Sequence, residues 1–425
     1  MQMPRTTRRQ VAGMLAGLAA GLSVIRPAAA ETIELRLLHY MDETGNRAVL
    51  REILDRFEQA NPGIKVQDFA TPTEHVVPDA QAAVAARRPY DVAQVLTRLA
   101  IGARAVTNAR PFSEAPDGAK FMEQFTPNLR DIGQFEGEYF LSPHALGTPL
   151  LYHNKDIMKQ AGLDPEKPPR TVQEMQEMAR QVRQRTDAFG AYILTGGLDL
   201  GPQTLMRLAG SKYLEGNRAV FDSPEGIAAM QFWQDLAKED LLPKVSDRDA
   251  ANIFGAGKLA FYLSTSARLA GIIRGAEGKF DLGVAEVPAW EGVPVQVPNS
   301  GSGMMVTAQQ PERIAAAFKL VAFLAQPEIT NYWSRATGYM PVANDPLADP
   351  ETKAFIADNP SYGVLVAQMR NTVATALWPG DRVVEGQTVV ANLVTDLWEG
   401  KGTAAELVPQ AAAEVTRILE ESTSN

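Results

Sequence analysis

Apolar and polar residues alternate through Ile33-Glu-Leu-Arg-Leu37, the period of two that a half-buried strand imposes. Val49, Leu50, Ile53, Leu54 and Phe57 then recur at spacings of three and four, which gathers them on one face of a helix. Asn61-Pro62-Gly63 stops that helix, and Ile64-Lys-Val-Gln-Asp-Phe69 returns to alternation. Together these pieces predict a β-α-β unit and hence a parallel sheet. Another strand is expected over 90–96, after a second helical stretch.

The middle of the chain reads as more helical. Helices are expected over 171–185, 223–238 and 252–256, with short strands over 191–194 and 259–263. Strand patterns reappear over 281–287 and 303–307, so a late segment is expected to complete the first domain. Residues 311–324 and 392–422 read as helices, the latter broken at Gly400-Lys-Gly402. No internal repeat, low-complexity tract or long linker divides the chain, which favours two interleaved lobes joined by short crossovers. The abrupt stretch 153–175 fits such a crossover. Asn154-Lys155-Asp156 ends a strand and opens a short helix that Gly162 stops. Thr171 and Glu174 then have the spacing of a capping box.

The first thirty residues stand apart. Arg5, Arg8 and Arg9 precede an apolar run over 11–25 and the small residues Ala28-Ala29-Ala30, the order of a cleavable export signal with cleavage near Ala30. Thr7-Arg8-Arg9, with Arg26 behind the run, hints at twin-arginine export instead of the general route. That segment carries four arginines and no acid, so its removal moves the formal charge from −9 to −13. Such a balance argues against nucleic-acid or anionic-membrane partners, which need a basic face. With no cysteine, neither a disulfide framework nor thiolate chemistry is available.

Catalytic signatures are sparse. His39, His75, His144 and His153 include no pair with the spacing of a zinc-hydrolase helix, so no metal is expected. Ser300-Gly-Ser-Gly303 comes near a nucleophile elbow without matching it, and Gly255-Ala-Gly257-Lys258 lacks the first glycine of a phosphate loop. Glu43, Glu74 and Asp199 lie in expected loops, yet a carboxylate pair for glycoside hydrolysis is not advertised. Trp233 shares an apolar helix face with Ile227, Met230 and Leu236 and reads as core, whereas Trp378, followed by Pro379 and Gly380, reads as an exposed aromatic.

The stretch "TPLLYHNKDIMKQAGLDPEKPPRTVQEM", residues 148–175, resembles the signature of periplasmic solute-binding proteins of carbohydrate-uptake ABC transporters. Within that family the chain is most similar to the glycerol-3-phosphate and glycerophosphodiester binders. "RFEQANPGIKV" at 56–66, "GKLAFYLSTSARLAGI" at 257–272, "TGYMPV" at 337–342, "DNPSYGVLVAQM" at 358–369 and "DLWEGKGTAAEL" at 396–407 extend the likeness along nearly the whole chain. "LHYMD" at 38–42 adds Tyr40 and Asp42 as candidate ligand groups.

The resemblance implies an α/β periplasmic-binding-protein fold, two interleaved lobes joined by a hinge with the ligand cleft between them. Residues 31–148 plus 288–327 would form the N-terminal lobe and 149–287 plus 328–425 the C-terminal lobe. It also implies a non-enzymatic, monomeric periplasmic protein. That protein would take up a sugar, a polyol or a glycerol-3-phosphate-type ester without a cofactor and deliver it to ABC permease subunits. The alternative is a secreted glycosidase or phosphodiesterase with an unadvertised carboxylate pair.

Carried over position by position, the family's pocket matches at Thr265-Ser266, at Ser300-Gly301-Ser302 and at Tyr339. Elsewhere the chain departs. The family's pocket Tyr falls on Thr73, its Glu on Thr97, its Ser on Gly147, its Trp on Val172 and its phosphate-binding Arg on Gln387. Arg382 is then the candidate replacement cation. His144, Tyr40, Tyr339 and Trp378 are the candidates for a rebuilt stacking surface.

Overall fold

A computed structural model describes residues 32–42, 46–194, 200–379 and 382–423; the export segment, Glu43 and Asp199 lie outside them. The strands that matter for the site are β1 (Ile33–His39), β2 (Ile64–Ala70), β3 (Val92–Leu96), β4 (Ser142–Gly147), β5 (Pro149–Asn154), β6 (Phe189–Ile193), β7 (Leu259–Thr265), β8 (Leu282–Ala285) and β9 (Ser300–Val306).

They form two sheets, ordered β2-β1-β3-β9-β4 and β8-β5-β7-β6. β1 runs parallel to both β2 and β3, as the opening β-α-β pattern requires, and β9 runs antiparallel to β3 and β4. In the second sheet β7 is parallel to β6 and antiparallel to β5. β3, β4 and β5 are buried at every position, and Val92-Ala-Gln-Val-Leu96 accordingly shows no alternation to read.

Thr148 alone separates β4 from β5, so the chain changes sheets across one residue. It returns over 286–299, where β9 completes the first sheet late in the sequence. The helix Pro311–Leu324 packs on β1 and β9. The next helix, Pro327–Thr337, was assigned by sequence mostly to the C-terminal lobe. It packs instead on Arg47–Ala60, where Tyr332 Oη donates to Glu52 at 2.6 Å. Residues 342–344 also hydrogen-bond 124–126 of the first lobe. The chain crosses again before Pro360–Gln368, which packs on β8. Val383–Glu399 and Ala404–Thr423 then cover Pro224–Lys238.

Phe57, Phe112, Phe318 and Phe323 anchor the first lobe through edge-on contacts 5.4 to 6.0 Å apart. Trp233, Tyr213, Phe221 and Trp378 do the same in the second. Local signals end the elements as the sequence suggests. Asn154 Oδ1 accepts from the amides of Asp156 and Ile157, and Gly162 adopts φ +76° after Lys155–Gln160. Thr171 Oγ1 accepts from the Glu174 amide at 3.0 Å, while the Glu174 carboxylate reaches one residue past the capping threonine to the Arg170 amide at 2.6 Å.

Candidate functional site

The seam between the lobes is built from the ends of β3, β4, β7 and β9. Thr265 closes β7 and Ser300 opens β9, and their hydroxyls meet at 3.0 Å across the crossover. They can approach because residue 147 has no side chain. A Cβ there would lie 2.7 Å from Thr265 Oγ1 and 2.8 Å from Ser300 Oγ. The serine expected by resemblance at this position therefore has no room, and Ser300 itself supplies the hydroxyl.

Hydrogen bonds continue on both sides of this contact. The Ser266 amide donates to Thr148 O at 2.8 Å, the Thr148 amide donates to Ser266 Oγ at 3.1 Å, and Thr372 Oγ1 donates to Thr148 Oγ1 at 2.9 Å. Asn299 Nδ2 donates to Thr97 Oγ1 at 3.4 Å, and Asn299 Oδ1 accepts from the Thr375 amide at 2.7 Å. Thr375 Oγ1 and the Ala376 amide both donate to Gln203 Oε1 at 3.0 Å. Gly301 holds φ +105°, a region costly for any other residue, and a Cβ there would lie 2.0 Å from Ala145 O. This floor is neutral throughout.

Two cavities flank it. One, of about 840 Å³, runs between the helices Asp247–Gly255 and Leu269–Ala276. It is lined by Thr265 and Tyr339, by Asn46 of the first lobe, and by Arg248, Arg268 and Arg274. Arg268 is neutralised there: Nη2 lies 2.5 Å from Asp247 Oδ2, and Nη1 donates to Tyr262 Oη at 3.0 Å. Burial pushes the Asp247 carboxyl up while Arg268 opposes it. The other cavity, of about 580 Å³, lies between Ile101 of the first lobe and Arg207, Tyr213 and Thr375 of the second.

Tyr339 ends an aromatic stack. Its ring lies 5.9 Å from Trp333 at 15°, and His144 stacks on Trp333 at 4.7 Å. His144 is fully enclosed, with Nε2 unbonded, and burial holds its imidazole down to about 3. It thus backs the stack from within the first lobe, and Tyr339 presents the stack to the cavity. Tyr40, also buried, lies close enough to add to the upward push that burial exerts on the Tyr339 phenol.

Several sequence-predicted residues stand elsewhere. Trp378 is 1% exposed, edge-on to Tyr213 at 6.0 Å, and fills the space left by Gly386, so the turn-rich segment does not expose it. Arg382 is bound by Glu385 and Glu421, both at 2.5 Å, which raise its pKa and hold it on the outer surface of the second lobe. It is not a cleft cation. Ser302 is buried in the first sheet, where its hydroxyl accepts from Gln94 Nε2 at 2.8 Å. Asp42 is exposed and paired with Arg47 at 3.2 Å, and Thr73 begins a short turn after β2. Val172 and Gln387 are both buried in the second lobe.

The residue that sequence reasoning missed is Arg207. In Leu200–Leu208, residues 201–206 and 208 are all buried, and Arg207 is the helix's one cation. An arginine in so apolar a setting is the signal that was available. Among the described residues no group of His, Asp and Glu is arranged to hold a metal ion, and no helix is long and apolar enough to cross a membrane.

Comparison with known proteins adds three findings. A model of the bacterial extracellular solute-binding protein family matches residues 52–361. The sn-glycerol-3-phosphate-binding periplasmic protein UgpB of Salmonella paratyphi A is 26% identical over 95% of this chain and 96% of its own, and that of Escherichia coli K12 is 25% identical over the same shares. Among solved structures, UgpB from Mycobacterium tuberculosis in complex with glycerophosphocholine superposes with a TM-score of 0.81 at 22% identity, covering 92% of this chain and 99% of that one. The cyclic alpha-maltosyl-1,6-maltose binding protein from Arthrobacter globiformis gives 0.82 at 20% identity, covering 92% and 100%. Both show the same two-lobed fold.

Proposed function

The chain belongs to the bacterial extracellular solute-binding proteins, and we propose that it is the substrate-binding component of an ABC importer. In this reading it is exported, cleaved near Ala30, and works in the periplasm as a monomer without catalysis. It closes on a sugar, polyol or glycerol-3-phosphate-type ester and hands it to the membrane permease. The observation that carries the reading is the seam itself. Thr265 and Ser300 come from different sheets and meet over Gly147, beside the one-residue crossover at Thr148, with cavities opening on both sides. A seam of this kind can bury a small polar solute when the lobes close. Thr97, Thr265 and Ser300 would meet ligand hydroxyls, and Tyr339, backed by Trp333, would cover a carbon face.

Small-angle scattering is the direct test. Saturating glycerol-3-phosphate, glycerophosphocholine, maltose or a polyol should compact the purified mature protein, and no compaction with any of them would sink the hinge mechanism. Incubation with the same esters and glycosides should give no turnover; hydrolysis would replace this reading with that of a secreted enzyme.

A further inference from the structure

We propose that Arg207 is the anion-binding group of the cleft, so that the solute is a polyol or sugar carrying an oxyanion, a phosphoryl or carboxylate group. This rests on the solute-binding reading above and narrows its ligand.

Arg207 lies in the cavity that also touches Ile101 of the first lobe, so its cavity spans the gap that closure narrows. Among the described residues it has no ion pair and no hydrogen bond, and burial alone acts on it, drawing its pKa down. A half-buried guanidinium with five donors and no acceptor is costly to keep, and a bidentate oxyanion is its natural complement. The other charges lining this cavity are accounted for. Lys212 and Glu215 at the rim neutralise each other at 2.5 Å, and Arg268 across the floor is held by Asp247.

Position is also fixed. Gln203, one turn earlier on the same helix, accepts from Thr375 and Ala376, and Thr375 is tied through Asn299 to Thr97. The helix that carries Arg207 is therefore held in register with the floor's hydroxyls. A solute seated against Thr375 in this cavity would present its anionic end to Arg207. Arg207 thus takes the task that the resemblance gives to an arginine at position 387, where this chain has Gln387. Arg382, closer in sequence, is occupied by two glutamates.

Calorimetry with matched pairs tests this: glycerol-3-phosphate against glycerol, and glucose 6-phosphate and glucuronate against glucose, with inorganic phosphate as the minimal probe. At least one anionic probe should bind and its neutral partner should not; which one binds separates phosphoryl from carboxylate recognition. Arg207→Gln should weaken that binding about tenfold or more, Arg207→Lys should restore part of it, and Arg382→Ala should leave it unchanged. A neutral sugar that binds wild type and Arg207→Gln equally, with compaction, overturns this inference while the solute-binding reading stands. Failure of every anionic probe to bind also overturns it. Failure of any solute, charged or neutral, to compact the protein would instead count against the reading beneath it.

Discussion

The floor of the cleft and its second-lobe wall handle buried polarity in opposite ways. On the floor, hydroxyls and amides from both lobes satisfy one another, as in Thr265 with Ser300, Asn299 with Thr97, and Thr375 with Gln203. The wall holds two half-buried guanidiniums: Arg268 is compensated by Asp247, and Arg207 has no counter-charge among the described residues. Neutral pairs exchange water for protein partners at small net gain, whereas an unpaired buried charge keeps most of its capacity to bind. If Arg207 takes the solute's anion as proposed, the floor fixes geometry and the wall supplies strength and choice of solute.

The largest effect should come from disturbing the floor. Gly301→Ala places a Cβ against Ala145 O in a backbone conformation that alanine avoids. A loss of about 3 kcal/mol or more is expected in urea unfolding. A loss below about 1 kcal/mol would mean that the floor yields easily and does not set geometry.

On the wall, Asp247→Asn strips Arg268 of its counter-charge. If the contrast between the two arginines is sound, the same variant should gain measurable affinity for inorganic phosphate. A stable variant with no such gain would show that an unpaired guanidinium is not enough.

Acid should act on the buried histidines of both lobes. His144 has its pKa lowered to about 3 and His153 to about 4, each by burial, against an ordinary value of 6.5. Protons thus bind the unfolded chain first. Stability is full above pH 6.5 and is lost as pH falls towards 3, with His144 alone accounting for about 2 kcal/mol at pH 5. His144→Gln should flatten the acid limb of a melting-temperature profile, and an unchanged limb would refute its role.

Arg207→Gln should have the smallest effect on folding, within about 0.5 kcal/mol in either direction, because no partner is lost. A drop of several degrees in melting temperature, with ligand binding intact, would recast Arg207 as structural.

Much of the scaffold was legible. Alternation marked β1 and β2, spacings of three and four marked Arg47–Ala60, and Thr171 with Glu174 marked the start of Val172–Arg185. These signals are local, and strands buried on both faces, such as β3, gave only part of their bounds. The site was harder to read. Thr265 and Ser300 are 35 residues apart and meet only because Gly147 leaves them room. Trp378 sits in turn-forming sequence, yet Gly386 makes a slot for its ring. Arg382 and Arg207 look alike as letters. One finds Glu421 39 residues away and the other finds no carboxylate among the described residues, a difference that only tertiary packing decides.

The stack of His144, Trp333 and Tyr339 has an optical consequence. Of the chain's other four tryptophans, Trp233 and Trp378 belong to the second lobe's core and Trp290 and Trp398 pack against it, so Trp333 is the first lobe's single indole emitter. Its neighbour on one side is the Tyr339 ring, which lines the larger cavity, and on the other an imidazole whose pKa burial lowers to about 3. The protein therefore carries a built-in fluorophore one ring removed from that cavity, free of quenching by a charged imidazole at any ordinary working pH.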